Sequence, residues 1–192
     1  MTAARNLETV EPEAVHFRRT DARRNHERVF AAALEIFGER GLQATVPQVA
    51  ERAGVGKATV YRSYPTRDDL VEAVVRHRFA VYEQSQGARV PTADAYAEFK
   101  GQVLALMHAL AGDRLLADVL ADPQSPAAAT LLERLSTAME AAKESGKIRS
   151  DADVRDLRTM LCGPVLQLMR ISEQEPARWQ RYGELFLQAI RP

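Results

Sequence analysis

Little in this sequence points to chemistry on a substrate. One cysteine in 192 residues, Cys162, allows no intramolecular disulfide and falls short of a structural zinc site. The four histidines, His16, His26, His77 and His108, have no second metal-type ligand three or four residues further on, and no serine elbow or cysteine–histidine arrangement is visible. Gly54-Val-Gly-Lys57 resembles a phosphate loop only in part, because Glu51 stands where that loop needs glycine and Ala58 where it needs a hydroxyl. No enzyme activity, metal or cofactor is therefore expected. No apolar run approaches the roughly 18 residues of a membrane span. Glu8, Glu11 and Glu13 stand where a secretory signal needs an apolar core, so a cytoplasmic protein is expected. Strand formers are scarce too: valine and isoleucine number 20 together, against 50 alanines and leucines. An all-α protein follows, and 46% apolar against 27% charged residues excludes disorder throughout.

The net charge of zero is unevenly spread. Residues 17–67 carry +5, residues 1–16 carry −2 and residues 68–192 carry −3. A basic segment beside an acidic remainder suggests one face for a polyanion and another part with a different job.

Residues 1–17 lack a helical period and read as a flexible tail. Helix starts are expected at Thr20 or Asp21, and apolar residues then recur at helical spacing from Val29 to Phe37 until Gly41. Thr45 caps a short helix with Pro47 in its first turn, Gly54 supplies a turn, and a third helix runs over 57–63 until Tyr64-Pro65 closes it. Thr66 to Asp69 opens a long fourth helix, and 85–92 reads as a linker. Further helical periods cover 94–112, 114–121, 126–145, 152–172 and 176–190. The expected domains are 18–84, with the connecting helix, and a larger helical domain at 92–192.

The stretch Gln48-Val-Ala-Glu-Arg-Ala-Gly-Val-Gly-Lys-Ala-Thr-Val-Tyr-Arg-Ser-Tyr64 carries the function. Ala50 is small where two helices must cross, Gly54 permits the positive φ of a tight turn, and Val49, Val55 and Val60 fill the space between them. This is the pattern of a helix-turn-helix. Its outer face offers Lys57, Ala58, Thr59, Tyr61 and Arg62, able to meet phosphates, base edges and thymine methyls in a major groove. Arg18, Arg19, Arg23 and Arg24 form a basic arm able to reach neighbouring phosphates or the minor groove, or simply a solvated charge run.

Thr45 to Leu70, preceded by Ala32 to Gly41, resembles the N-terminal domain of tetracycline-repressor-like (TetR family) regulators. The resemblance implies a homodimeric, ligand-responsive repressor whose C-terminal helical domain binds a small-molecule effector and is thereby released from a palindromic operator in double-stranded DNA. By carry-over Thr45, Lys57, Thr59, Tyr61, Tyr64 and Arg67 match positions that touch DNA, with Tyr61, Tyr64 and Arg67 chiefly on phosphate. Gly56 departs from the family, which more often has Ser or Thr there. The last two helices are implied to form a four-helix bundle across the twofold axis. Leu157, Leu161, Pro164, Val165, Leu168 and Met169, with Tyr182, Leu185, Phe186 and Ala189, are the expected interface. Leu104, Met107, His108, Leu115, Met139, Met160 and Cys162 are candidates for a pocket, since flexible methionines suit adaptable sites and His108 adds a polar group. The alternative is a helical DNA-binding or scaffolding protein without an effector.

Overall fold

A proline opens the first helix eight residues before the expected caps. The computed structural model describes residues 12–87 and 94–192, and in it α1 runs from Pro12 to Arg40. Thr20 and Asp21 are thus interior to the helix. Pro12 takes the first helical position, where its missing N–H costs nothing, and the good helix formers that follow, such as Glu13, Ala14, Arg18 and Arg19, outweigh the weak preference of Thr20 and Asp21 for a cap. Of the expected tail, residues 12–17 are helical and residues 1–11 lie outside the described residues; of the expected linker, residues 85–87 continue the fourth helix and residues 88–92 lie outside the described residues.

The remaining elements follow their local signals. Gly41, at φ 56°, ends α1 and begins a short 3₁₀ turn, Gly41–Gln43. Then come α2 (Val46–Ala53), α3 (Lys57–Ser63) and α4 (Arg67–Gly87). Thr66 and Asp69 cap α4 reciprocally, the Thr66 N–H donating to Asp69 Oδ2 at 2.9 Å and the Asp69 N–H to Thr66 Oγ1 at 3.1 Å. Beyond residue 93 lie α5 (Ala95–Ala111), α6 (Arg114–Ala121), α7 (Pro126–Glu144), α8 (Val154–Arg170) and α9 (Pro176–Ala189). Side chains of Asp94, Asp113, Ser125 and Asp153 cap α5 to α8. Among the described residues there is no strand, and no helix is long and apolar enough to cross a membrane.

Two apolar cores divide the fold. The first joins Val29, Ala33 and Phe37 of α1 to Val49 and Ala50 of α2, Val60 of α3 and Leu70 and Val74 of α4. The second holds α5, α7, α8 and α9 together around Phe99, Met107, Met139 and Phe186. Helix α6 belongs to both, with Leu115 and Val119 in the first and Leu116, Ala117 and Leu120 in the second.

Candidate nucleic-acid interface

The helix-turn-helix is built from backbone outwards. The Thr45 N–H donates to Gln48 Oε1 at 3.0 Å, fixing the entry of α2. At its exit Gly54 adopts φ 64°, its N–H donates to Glu51 O and that of Val55 to Ala50 O, both at 3.0 Å. This double closure satisfies the last carbonyls of α2 and needs a left-handed residue, which glycine supplies without strain. Arg28 of α1 adds a charge-assisted bond from Nη2 to Ala53 O at 2.6 Å. Arg52 pairs with Glu35 and, at 3.5 Å, with Glu39, so α2 is tied to α1 at two places.

On this mount α3 turns Val60 fully inward and Lys57, Ala58, Tyr61 and Arg62 outward. Tyr61 is 46% exposed. Thr59 is half-buried on the flank, and Thr45 is exposed at the start of α2. Neither Lys57 nor Arg62 has an ion-pair partner among the described residues, which leaves their charge for an external anion. Seven residues make two turns of helix, enough to present one reading face to a groove.

Two residues expected on phosphate have partners within the chain. Tyr64 is only 9% exposed, its ring stacks on His26 at 5.3 Å, and its hydroxyl lies 3.4 Å from His26 Nε2. Burial pushes its phenol above the ordinary value. Arg67 spends its guanidinium on the chain itself: Nη2 donates to Leu42 O at 2.5 Å and Nε to Ala44 O at 3.2 Å, with the cation 5.9 Å from the centre of the Phe37 ring. The turn after α3 brings Tyr64 against α1 and the part-exposed Arg67 against the 3₁₀ turn, whose carbonyls accept its donors. The basic arm divides likewise. Arg23 pairs with Glu27 at 2.9 Å and Arg24 is exposed, whereas the side chains of Arg18 and Arg19 lie outside the described residues.

The family model for bacterial regulatory proteins of the tetR family matches residues 29–74, the span of this scaffold. An uncharacterised HTH-type transcriptional regulator of Mycobacterium bovis is 30% identical over 146 residues, covering 70% of this chain and 74% of that one. The chain belongs to the tetR family. It is a transcriptional regulator with a DNA-binding helix-turn-helix. The crystal structure of the TetR transcriptional regulator SCO0520 from Streptomyces coelicolor aligns over 87% of this chain and 98% of that one, with a TM-score of 0.57 at 28% identity. FadR of Bacillus subtilis, solved with stearoyl-CoA, shares the fold at a TM-score of 0.59 and 21% identity, covering 86% of this chain and 99% of that one.

In this TetR-family chain the expected pocket residues do not converge. Leu104 and His108 line an open groove of about 750 Å³, walled by α4 and α5 and floored by Arg78, Asp113 and Leu116. Met107 and Met139 are buried in the second core and Leu115 in the first. Met160 is on the outer face of α8. Cys162 is half-buried with Sγ 3.6 Å from Leu120 O, and burial raises its thiol pKa while Arg158 opposes the rise, which makes it a poor nucleophile. An enclosed apolar void between Phe79, Leu110, Leu116 and Leu131 measures about 10 Å³. The groove residues that sequence reasoning missed, Val81 and Tyr82 of α4 and Gln180 of α9, carry a helical period but no mark of which neighbour they face.

The expected interface residues also separate into two sets. Leu157, Leu161, Val165, Leu168, Met169 and Phe186 are buried in the subunit's own core, and Pro164 is half-buried. Tyr182 at 40%, Leu185 at 41% and Ala189 face outward, and so do Met160 and Leu166 of α8. The apolar period of α8 continues around more than one face, and the face with the unbroken leucine and valine series goes to the core, where close packing rewards it most.

Proposed function

We propose that this TetR-family protein is a one-component, ligand-responsive regulator, acting as a repressor, that binds a palindromic operator as a homodimer. The observation that carries the reading is the outward face of α3, Lys57, Ala58, Tyr61 and Arg62, on a helix-turn-helix sealed from behind by Val49, Ala50 and Val60. Thr45 and Thr59 flank it, and Arg18, Arg19, Arg23 and Arg24 add positive charge along α1. A single such element covers a few base pairs, so specific affinity needs two copies on successive major grooves, about 34 Å apart. The exposed apolar side chains Met160, Leu166, Tyr182 and Leu185 on α8 and α9 supply the surface for the second copy.

The effector occupies the groove bounded by Leu104, His108 and Leu116, whose lining is largely apolar with a few polar groups. That this fold holds a ligand in Bacillus subtilis FadR supports a ligand-binding role for the C-terminal half. The reading without an effector draws on the small size of the enclosed void, too small for an organic molecule.

Selection of bound duplexes from a random DNA pool tests the proposal. Enrichment of an inverted repeat with half-sites one helical turn apart is the expected result. Recovery of no sequence preference, or of a single half-site bound by a monomer, would overturn the palindromic dimer.

A further inference from the structure

The core beneath the recognition helices is not closed by the helix-turn-helix domain itself. Leu115 and Val119 of α6 complete it, while the other side of the same helix packs into the C-terminal core. Between those two side chains along the helix lies Asp118, 15% exposed, and its carboxylate crosses to the recognition domain: Oδ2 accepts the Leu42 N–H at 2.7 Å and Oδ1 accepts Arg114 Nε at 3.2 Å. Arg114 in turn donates from Nη1 to Met169 O at 3.2 Å, bracing α6 against the end of α8.

The carbonyls that follow are held as well, since Leu42 O and Ala44 O accept Arg67 of α4. The segment 41–44, which delivers the chain to the Thr45 cap of α2, is thus gripped at its N–H by α6 and at its carbonyls by α4. Gly41 is the third part of the contact. A Cβ at that position would lie 1.9 Å from Asp118 Oδ2, so the carboxylate occupies space that only glycine leaves open. Leu42 is at the surface, where water would serve its N–H nearly as well. The bond therefore contributes orientation more than stability.

We propose that Asp118 is a positioning residue through which the C-terminal domain sets the pose of α2 and α3 on DNA. The proposal rests on the reading of α3 as the DNA-contacting helix. With Asp118 seated, the segment before α2 has one position; with it withdrawn, the recognition helix samples poses that do not match the groove, and the competent fraction falls.

The test compares wild type, Asp118→Ala and Asp118→Asn against the duplex that wild type selects, with melting and Leu42 amide exchange measured alongside. Asp118→Ala should weaken DNA binding about tenfold or more and speed Leu42 exchange, with little change in melting. Asp118→Asn, which keeps an acceptor oxygen, should restore most of both. Gly41→Ala should cost more DNA affinity in the wild type than in the Asp118→Ala background, where the 1.9 Å contact with the carboxylate is gone and only the 2.7 Å approach to Arg114 Cγ and the strain of φ 56° remain. Wild-type binding with both Asp118 variants indifferent would overturn the proposal alone. Loss of binding only in proportion to loss of folding, with an additive cycle, would reduce Asp118 to a structural role and overturn it too. A wild-type protein that selects no duplex would instead remove the DNA-binding reading, and the proposal with it.

Discussion

Arg78 and Asp113 meet at 2.8 Å, Nε to Oδ2, and through this pair three helices share one joint. Arg78 belongs to α4 and also donates from Nη2 to Leu34 O of α1 at 2.8 Å. Asp113 uses its other oxygen to cap α6, accepting the Leu116 N–H at 3.0 Å. Its side chain is 7% exposed, so the charge is desolvated and depends on its partner.

Arg78→Met should therefore destabilise the protein by about 3 kcal/mol, the low end for losing one partner of a buried pair, because Arg78 itself is 31% exposed. Urea unfolding followed by circular dichroism measures it. A change below about 1 kcal/mol would mean the pair behaves as an ordinary surface contact.

Charge placed on α8 and α9 should separate two roles that the sequence runs together. Tyr182→Glu and Leu185→Glu, on the exposed face, should give folded monomers with normal helical content that lose operator binding. Leu168→Glu and Phe186→Glu put a charge where exposure is 3% and 2%, and should lower the melting temperature sharply or prevent folding. Sedimentation with circular dichroism distinguishes the outcomes, and dimeric Leu185→Glu protein would speak against this interface.

On DNA, Tyr61→Ala should weaken binding by roughly 1–3 kcal/mol without a change in melting temperature, since the side chain is half in solvent and packs little. Lys57→Ala should reduce the slope of log affinity against log salt by about one. Tyr64→Ala should behave differently and lower stability first, because its ring fills the space beside His26. Fluorescence anisotropy over a salt series reads the two binding changes, and thermal melting separates Tyr64→Ala from Tyr61→Ala.

Ser172 takes φ 54° at the end of α8, with its N–H on Met169 O at 3.1 Å and that of Glu173 on Leu168 O at 2.9 Å. This closure favours glycine, since a side chain in the left-handed region costs roughly 1–2 kcal/mol. Ser172→Gly should raise stability by about 1 kcal/mol once the greater freedom of glycine in the unfolded chain is subtracted. A lower melting temperature would show that the hydroxyl has a role the backbone geometry does not reveal.

The sequence by itself determined the helices and the recognition element, because their signals are local. Gly54 has to follow α2 wherever that helix packs, Thr45 and Gln48 meet within one turn, and α2 to α7 begin and end within a residue or two of their caps. The alanine, glycine and valine spacing of the helix-turn-helix likewise reports contacts between neighbours in the chain, which is why its outer face could be read directly. Tertiary structure decided the fate of residues with more than one suitable partner. Arg67 and Tyr64 also have partners within the chain, two carbonyls and a histidine ring, that no local signal announces. Leu157 to Met169 are apolar enough for a core or an interface, and a helical period does not say which surface arrives first. Helix α6 shows the limit most plainly: Leu115, Leu116, Val119 and Leu120 look like one apolar stripe, yet they divide between two cores, because its eight residues lie where the two domains meet.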